Sequence, residues 1–178
     1  MWAAPITLTR ASGRLNARSV PLGVQLALDD ALLGHQQGSA ALRLRALLRP
    51  SDTPLVDLAG QVSLADLGLI REFLPVYRLK PKPLAWLQEA FPSGSAEARL
   101  QLTGPLKGFP YREGQGLFEA EANVQGARFV FAPGWQPLEE LSAQVRFSGP
   151  SLSVSGAQGR IGSTEVREGE SWISDFRT

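Results

Sequence analysis

Ala96-Glu97-Ala98-Arg99-Leu100-Gln101-Leu102-Thr103 alternates apolar and polar residues without a break. A period of two puts Ala96, Ala98, Leu100 and Leu102 on one side of an extended chain and Glu97, Arg99, Gln101 and Thr103 on the other, so the stretch predicts a strand buried on one face and wet on the other. The same alternation spreads upstream, through Val24, Leu26 and Leu28, then Leu42, Leu44 and Ala46 against Arg43 and Arg45, then Val56, Leu58, Gly60 and Val62. Downstream, Phe118, Ala120, Ala122 and Val124 oppose Glu119, Glu121 and Asn123, Leu141, Ala143, Val145 and Phe147 oppose Ser142, Gln144 and Arg146, and Leu152 and Val154 open a further run. Gly104-Pro105, Pro133-Gly134 and Gly149-Pro150 punctuate these runs with backbone angles that suit turns. Connections this short join antiparallel neighbours.

One interval departs from the period of two. Ser63-Leu64-Ala65-Asp66 has the form of a capping box, and Leu67, Ile70 and Leu74 follow at helical spacing up to Pro75. Pro83 suits a first helical turn, after which Leu84, Leu87 and Phe91 share one face beside Trp86 and Ala90, with Pro92 and Gly94 closing the segment. The expected fold is therefore mainly β: a curled antiparallel sheet of about eight strands, with two short helices inserted over residues 63–93. Its apolar face needs cover. A sandwich, a closed barrel and an open groove all place alternate residues inside, and periodicity alone does not separate them.

Composition narrows the function. A chain of 178 residues removes about 70% of its surface from water when it folds, so it needs no disulfide, and it has no cysteine. Lys and Arg number 18 against 17 Asp and Glu, which leaves no broad field to attract nucleic acid. No apolar run reaches the ~20 residues that span a bilayer, and Met1-Trp2-Ala3-Ala4-Pro5 lacks the basic start and apolar stretch of a signal peptide. The expectation is a soluble fragment or excised segment.

Between about residues 55 and 162 several words of sequence occur in a telling order. Leu67-Gly-Leu-Ile-Arg-Glu-Phe-Leu-Pro75, Lys80-Pro-Lys-Pro-Leu-Ala-Trp-Leu-Gln-Glu-Ala-Phe-Pro-Ser-Gly94 and Leu102-Thr-Gly-Pro-Leu-Lys-Gly-Phe-Pro110 are followed by Glu113-Gly-Gln-Gly-Leu-Phe118 and Ala132-Pro-Gly-Trp135. Together they resemble the middle region of the YhdP/AsmA-like lipid-transport proteins of Gram-negative envelopes. Residues 1–54 and 163–178 share the strand pattern without such words. The resemblance implies a large inner-membrane-anchored, periplasmic protein whose strands curl into a taco-like apolar trough for phospholipid, serving outer-membrane biogenesis, with residues 1–178 as a single segment of that groove. Eight strands at ~4.8 Å stack to only about 40 Å, little more than one bilayer core, so such a bridge needs many units.

On this reading the lipid-binding face comprises Val24, Leu26, Leu28, Leu42, Leu44, Leu100, Leu102, Phe118, Val124, Phe129, Phe131, Val145 and Phe147. Its partners are phospholipid acyl chains and adjoining segments of the same groove, with no nucleic acid, metal or cofactor. Acyl chains ask little of such a surface: each buried methylene contributes ~0.8 kcal/mol without directional demands. For Phe118, Phe129, Phe131 and Phe147, core packing and lipid contact require the same residue type. The alternative function is a structural or docking β-module of the envelope that carries no cargo.

Catalytic constellations are weak. His35, the sole histidine, lies in Gly34-His35-Gln36-Gln37-Gly38 and reads as an exposed turn residue, since no second ligand type gathers near it in sequence. Glu119 and Glu121 share a strand face about 7 Å apart, a spacing open to glycoside hydrolysis but commoner on a solvated surface. No serine sits in Gly-x-Ser-x-Gly. Gly114-Gln-Gly116 lacks a third glycine and a following helix and reads as a hairpin turn. Arg43, Arg45 and Arg49 suit phosphate headgroups at a rim, yet a charged strand face that resists edge pairing explains them more simply. Trp86 and Phe91 are expected to pack their helix on the sheet. No enzyme activity is expected.

Overall fold

In the computed structural model, residues 7–73 and 89–175 are described. They form one nine-stranded antiparallel meander whose spatial order is the sequence order. The strands are β1 (Arg10–Val20), β2 (Gly23–His35), β3 (Gly38–Leu48), β4 (Leu55–Leu64), β5 (Ser93–Pro105), β6 (Leu117–Phe129), β7 (Leu138–Ser148), β8 (Ser151–Ile161) and β9 (Thr164–Ile173). β1 and β9 do not pair with each other, so the sheet is not closed. The expected period-two runs became β2 to β8, and β1 and β9 extend the sheet by one strand at each side.

The two expected helices are a point of correction. The first is reduced to a 3-10 turn, Leu67–Leu69, and one α-helical turn, Ile70–Phe73. Its cap is Asp66, whose carboxylate accepts from the Gly68 N–H at 2.8 Å. The second expectation, residues 84–91, lies mostly outside the described residues; of its described residues, Glu89 and Ala90 are helical and Phe91 is not. Leu67, Ile70 and Phe91 nonetheless pack against the sheet.

Register fixes the faces. One row reads Leu28, Leu44, Leu58, Leu102, Phe118 across β2 to β6, and the next reads Leu42, Gly60, Leu100, Ala120, Phe147, Leu152 across β3 to β8. The opposite face carries Ala41, Gln61, Arg99, Glu121, Arg146 and Ser153 in one row, with charges of alternating sign in register.

A repeated irregularity bends this sheet. Residues with left-handed backbone sit at register shifts in β2 (Asp30, φ 53°), β6 (Gly126, φ 57°), β7 (Glu140, φ 56°), β8 (Gly156, φ 60°) and β9 (Glu168, φ 54°). Each places two residues against one, which raises the local twist and bends the strand. The β3–β4 and β4–β5 ladders run without a shift. Curling is therefore built into the two flanks of a regular centre.

Apart from Ala31, 1% exposed beside the β2 bulge, the fully buried side chains among the described residues lie towards the two ends of the strands. At one end Leu67, Ala96, Val124, Ala127, Leu141 and Ala143 form the core cluster, joined by Phe91, Phe129 and Leu138. At the other, the β5–β6 connection folds Phe109, the cis-linked Pro110 and Tyr111 onto the sheet. Phe109 meets Phe118 at a ring separation of 4.8 Å, and the Tyr111 ring covers the bare backbone of Gly104 and Gly116. The Tyr111 hydroxyl is buried without a hydrogen-bond partner among the described residues, and burial raises its pKa above the ordinary value near 10. Tyr111→Phe is therefore expected to leave stability unchanged or raise it by up to about 1 kcal/mol in chemical denaturation, because an unsatisfied polar group is removed. The raised pKa also means that wild-type stability falls as pH climbs from about 10 through the folded-state value, a loss that the phenylalanine variant lacks at this site.

Candidate functional site: the apolar face of the sheet

Twelve of the thirteen residues expected to meet lipid lie in strands, and the thirteenth, Phe131, follows β6. Leu26, Leu28, Leu42, Leu44, Leu100, Leu102, Phe118, Val145 and Phe147 share one face and are half-buried. Val24 occupies the same face beside the β1–β2 turn, opposite Leu48, and is exposed. Val124 belongs to the core cluster, and Phe129 packs against it. Phe131 is exposed, edge-on to Phe129 at 6.4 Å and tilted against Trp135 at 5.3 Å, so it borders the face and is not part of its floor.

Sequence reading omitted part of this floor. Leu58, Val62, Ala98, Ala120, Ala122, Leu152 and Val154 lie in the same rows. Their alternation was visible, but alanine and valine on a strand do not single out a site. Gly60 has a specific role: a Cβ there would stand 2.4 Å from Leu42 Cδ2, so the missing side chain makes the space in which Leu42 lies across the floor.

The face is half-open. Between the two buried ends, leucines of the central rows keep part of their surface in water, and at the sheet edges Leu15 is 70% and Ile173 44% exposed. An apolar cleft of about 360 Å³ lies between β2 to β4 and Ile70, walled by Leu33, Ala40, Leu42, Val62 and Leu64. Two larger clefts, about 770 and 590 Å³, lie on the opposite face among Arg43, Gln61, Arg99, Glu119, Glu121 and Arg146. A twisted sheet is concave along a diagonal on each side, so hollows on both faces follow from the twist. The polar hollows are the roomier ones, but acyl chains there would strip water from charged groups. The apolar face is the site whose chemistry fits hydrocarbon.

The other candidate residues lie on the polar face, at turns and connections, or against the core. Arg45 pairs with Asp29 at 3.4 Å on the polar face, and Arg43 shares that face. Arg49 turns inward to the Thr53 carbonyl at 2.8 Å and pairs with Asp52. Glu121 accepts from the Gln144 side chain at 2.9 Å, within an outer face where Arg128 and Glu139 also pair at 2.9 Å. His35, expected as an exposed turn residue, is instead the half-buried last residue of β2, paired with Gly38, and its Nδ1 accepts from the Gln37 N–H at 3.4 Å. Gly114 and Gly116 lie in the connection between adjacent antiparallel strands β5 and β6. Phe91 packs on Phe129 at 5.1 Å, while Trp86 and Leu87 lie outside the described residues. Among the described residues, no group of three or more potential metal ligands occurs, and no helix is long and apolar enough to cross a membrane.

The chain is 24% identical over 133 residues to the intermembrane phospholipid transporter YhdP of Escherichia coli (strain K12), an alignment covering 74% of this chain and 10% of that protein. The chain thus spans about a tenth of the length of this relative. No solved structure matches it. The family model described as YhdP protein matches residues 1–178, from first to last, and on that match the chain belongs to the YhdP family.

Proposed function

We propose that this chain is one segment of a β-groove that shields phospholipid acyl chains during passage between the inner and outer membranes. The observation that carries the reading is the continuous apolar face, made by register across successive strands, which stays half-open between its two buried ends. Acyl chains would lie on the rows through Leu42, Leu44, Leu100 and Leu102, with headgroups left in water. The strand bulges support the reading by curling the flanks toward this use. The whole protein would be periplasmic and anchored in the inner membrane, with adjoining segments continuing the groove. No step needs bond chemistry, and no enzyme activity is proposed.

The test is uptake of a fluorescent phospholipid by the chain and two variants. Leu100→Asp places a charge on the floor, and Arg99→Asp, one residue away, places it on the polar face. On a half-open floor the Leu100 variant remains hydrated, so it should lose about tenfold in lipid uptake while melting within a few degrees of wild type. The Arg99 variant should keep wild-type uptake and lose at most about 1 kcal/mol of stability, because its aspartate stands opposite Glu121. In a sealed core the Leu100 variant would cost several kcal/mol and unfold the chain. Outright unfolding, or equal uptake by both variants, returns the chain to a structural module without cargo.

A further inference from the structure

The small apolar cleft over β2 to β4 differs from the open floor beside it in having a roof. The helical turn after β4 reaches back over the sheet and sets Ile70 across the cleft from Leu33, Ala40, Leu42, Val62 and Leu64. This roof is anchored: Leu67 and Leu69 are only 3% and 5% exposed, and the Ala65 N–H donates to the Gln37 carbonyl in the β2–β3 turn at 2.8 Å. No Asp, Glu, Lys or Arg lines the cleft among the described residues. Neither β1 nor β9 contributes to it, so its shape does not depend on the sheet edges.

The cleft offers about 360 Å³, the share of roughly twelve waters at ~30 Å³ each, yet walls of this kind give water almost no partners. A methylene group is close to that size, so the room suits a single hydrocarbon chain of about a dozen carbons. Two chains side by side would not fit.

Along the floor, the row of Ala40, Val62, Ala98, Ala122, Val145 and Val154 leads from the cleft to β8, beside the taller row of Leu42, Leu100 and Phe147. Same-face rows lie two residues, or about 7 Å, apart, and five steps between strands at ~4.8 Å make about 24 Å. Half of a ~30 Å bilayer core is about 15 Å, so one extended acyl chain has room to approach the cleft along this row.

We propose that the cleft is a single-chain pocket: it takes the end of one acyl chain of a phospholipid, while the second chain lies on the open floor. The cargo is that of the groove proposed above, on which this assignment rests. The pocket adds a place where a lipid is held, and a limit on the length of chain held there.

Displacement of a fluorescent fatty acid by lysophosphatidylcholines tests this, with single chains of about eight to about eighteen carbons kept below their micelle concentrations. An enclosed methylene should strengthen binding about fourfold, and one on the half-open floor about twofold or less, so affinity plotted against chain length should break at about twelve carbons. Ala40→Phe fills the cleft and should move the break to chains shorter by about three carbons. Ala41→Phe, one residue along but on the polar face by register, should leave it in place. Ile70→Ala thins the roof and should bring the gain per enclosed methylene down to about twofold. An Ala40→Phe chain that fails to fold by circular dichroism is replaced by Ala40→Leu, judged by the same shift. A rise in affinity without a break, a break that Ala40→Phe leaves in place, or one that Ala41→Phe moves equally overturns the pocket and leaves the groove standing. So does a photoreactive residue at Val62 that crosslinks to the chain's own residues 74–88 instead of to lysolipid. Failure of every chain length to bind overturns both readings.

Discussion

Gly94→Ala should be among the most damaging single substitutions in this chain, with an expected loss of about 3–5 kcal/mol in unfolding free energy. Gly94 holds φ at 115°, and a Cβ there would stand 2.4 Å from Ala127 Cα and 2.7 Å from Ala127 Cβ. Ala127 is 0% exposed and sits where β6 shifts register against both neighbours, so its backbone has nowhere to retreat. Overpacking and backbone strain each cost roughly 1–3 kcal/mol, and both apply. Gly126→Ala separates the two terms. Gly126 also has left-handed backbone, but nothing lies within 4 Å of its added Cβ, so the loss should be only about 1–2 kcal/mol. Urea denaturation of both variants measures the difference; equal losses would mean that β5 and β6 are not in close contact at this point.

Leu141→Ala should cost about 3 kcal/mol, whereas Leu44→Ala should cost about 1 kcal/mol or less, although both remove the same atoms. Leu141 is 8% exposed and central to the core cluster, so its truncation leaves a cavity as well as a lost transfer term. Leu44 is half-buried in the middle of the sheet, where water already reaches part of the side chain and fills the space it leaves. Thermal unfolding in the absence of lipid gives both values. Similar losses at the two positions would mean that the central rows are a packed core, and the half-open floor would fall with that result.

The strands were legible because the period of two is strong wherever one face is wet. Glu97, Arg99 and Gln101 alternating with leucine and alanine leave one arrangement that avoids burying charge. β1 and β9 were less distinct because both faces are exposed there, which relaxes the pattern: Arg10, Leu15, Glu168 and Trp172 all meet solvent. The bulges were only partly written in the residues. Gly126 and Gly156 suit left-handed backbone, but Asp30, Glu140 and Glu168 adopt it without glycine, and an isolated glutamate gives no sign that it will. The capping box put the helical start at Ser63, but Ser63 and Leu64 still belong to β4 and the cap is Asp66, and the spacing of Leu67 and Ile70 also fits a 3-10 turn followed by a single α-turn. For the site, alternation named the large residues of the floor but not Gly60 or the alanines between them, whose function is to be small.

The central claim is that lipid lies on one named face of this sheet. A photoreactive amino acid placed in turn at Leu44, Leu100 and Phe147, and in turn at their neighbours Arg45, Arg99 and Arg146, tests it most directly, with phospholipid adducts read by mass spectrometry after illumination with vesicles. Adjacent positions differ by one residue in sequence but lie on opposite faces by register. The account predicts adducts at Leu44, Leu100 and Phe147 and at most background at Arg45, Arg99 and Arg146. Equal adducts on the two faces, or none on the apolar one while the protein remains folded, would contradict it.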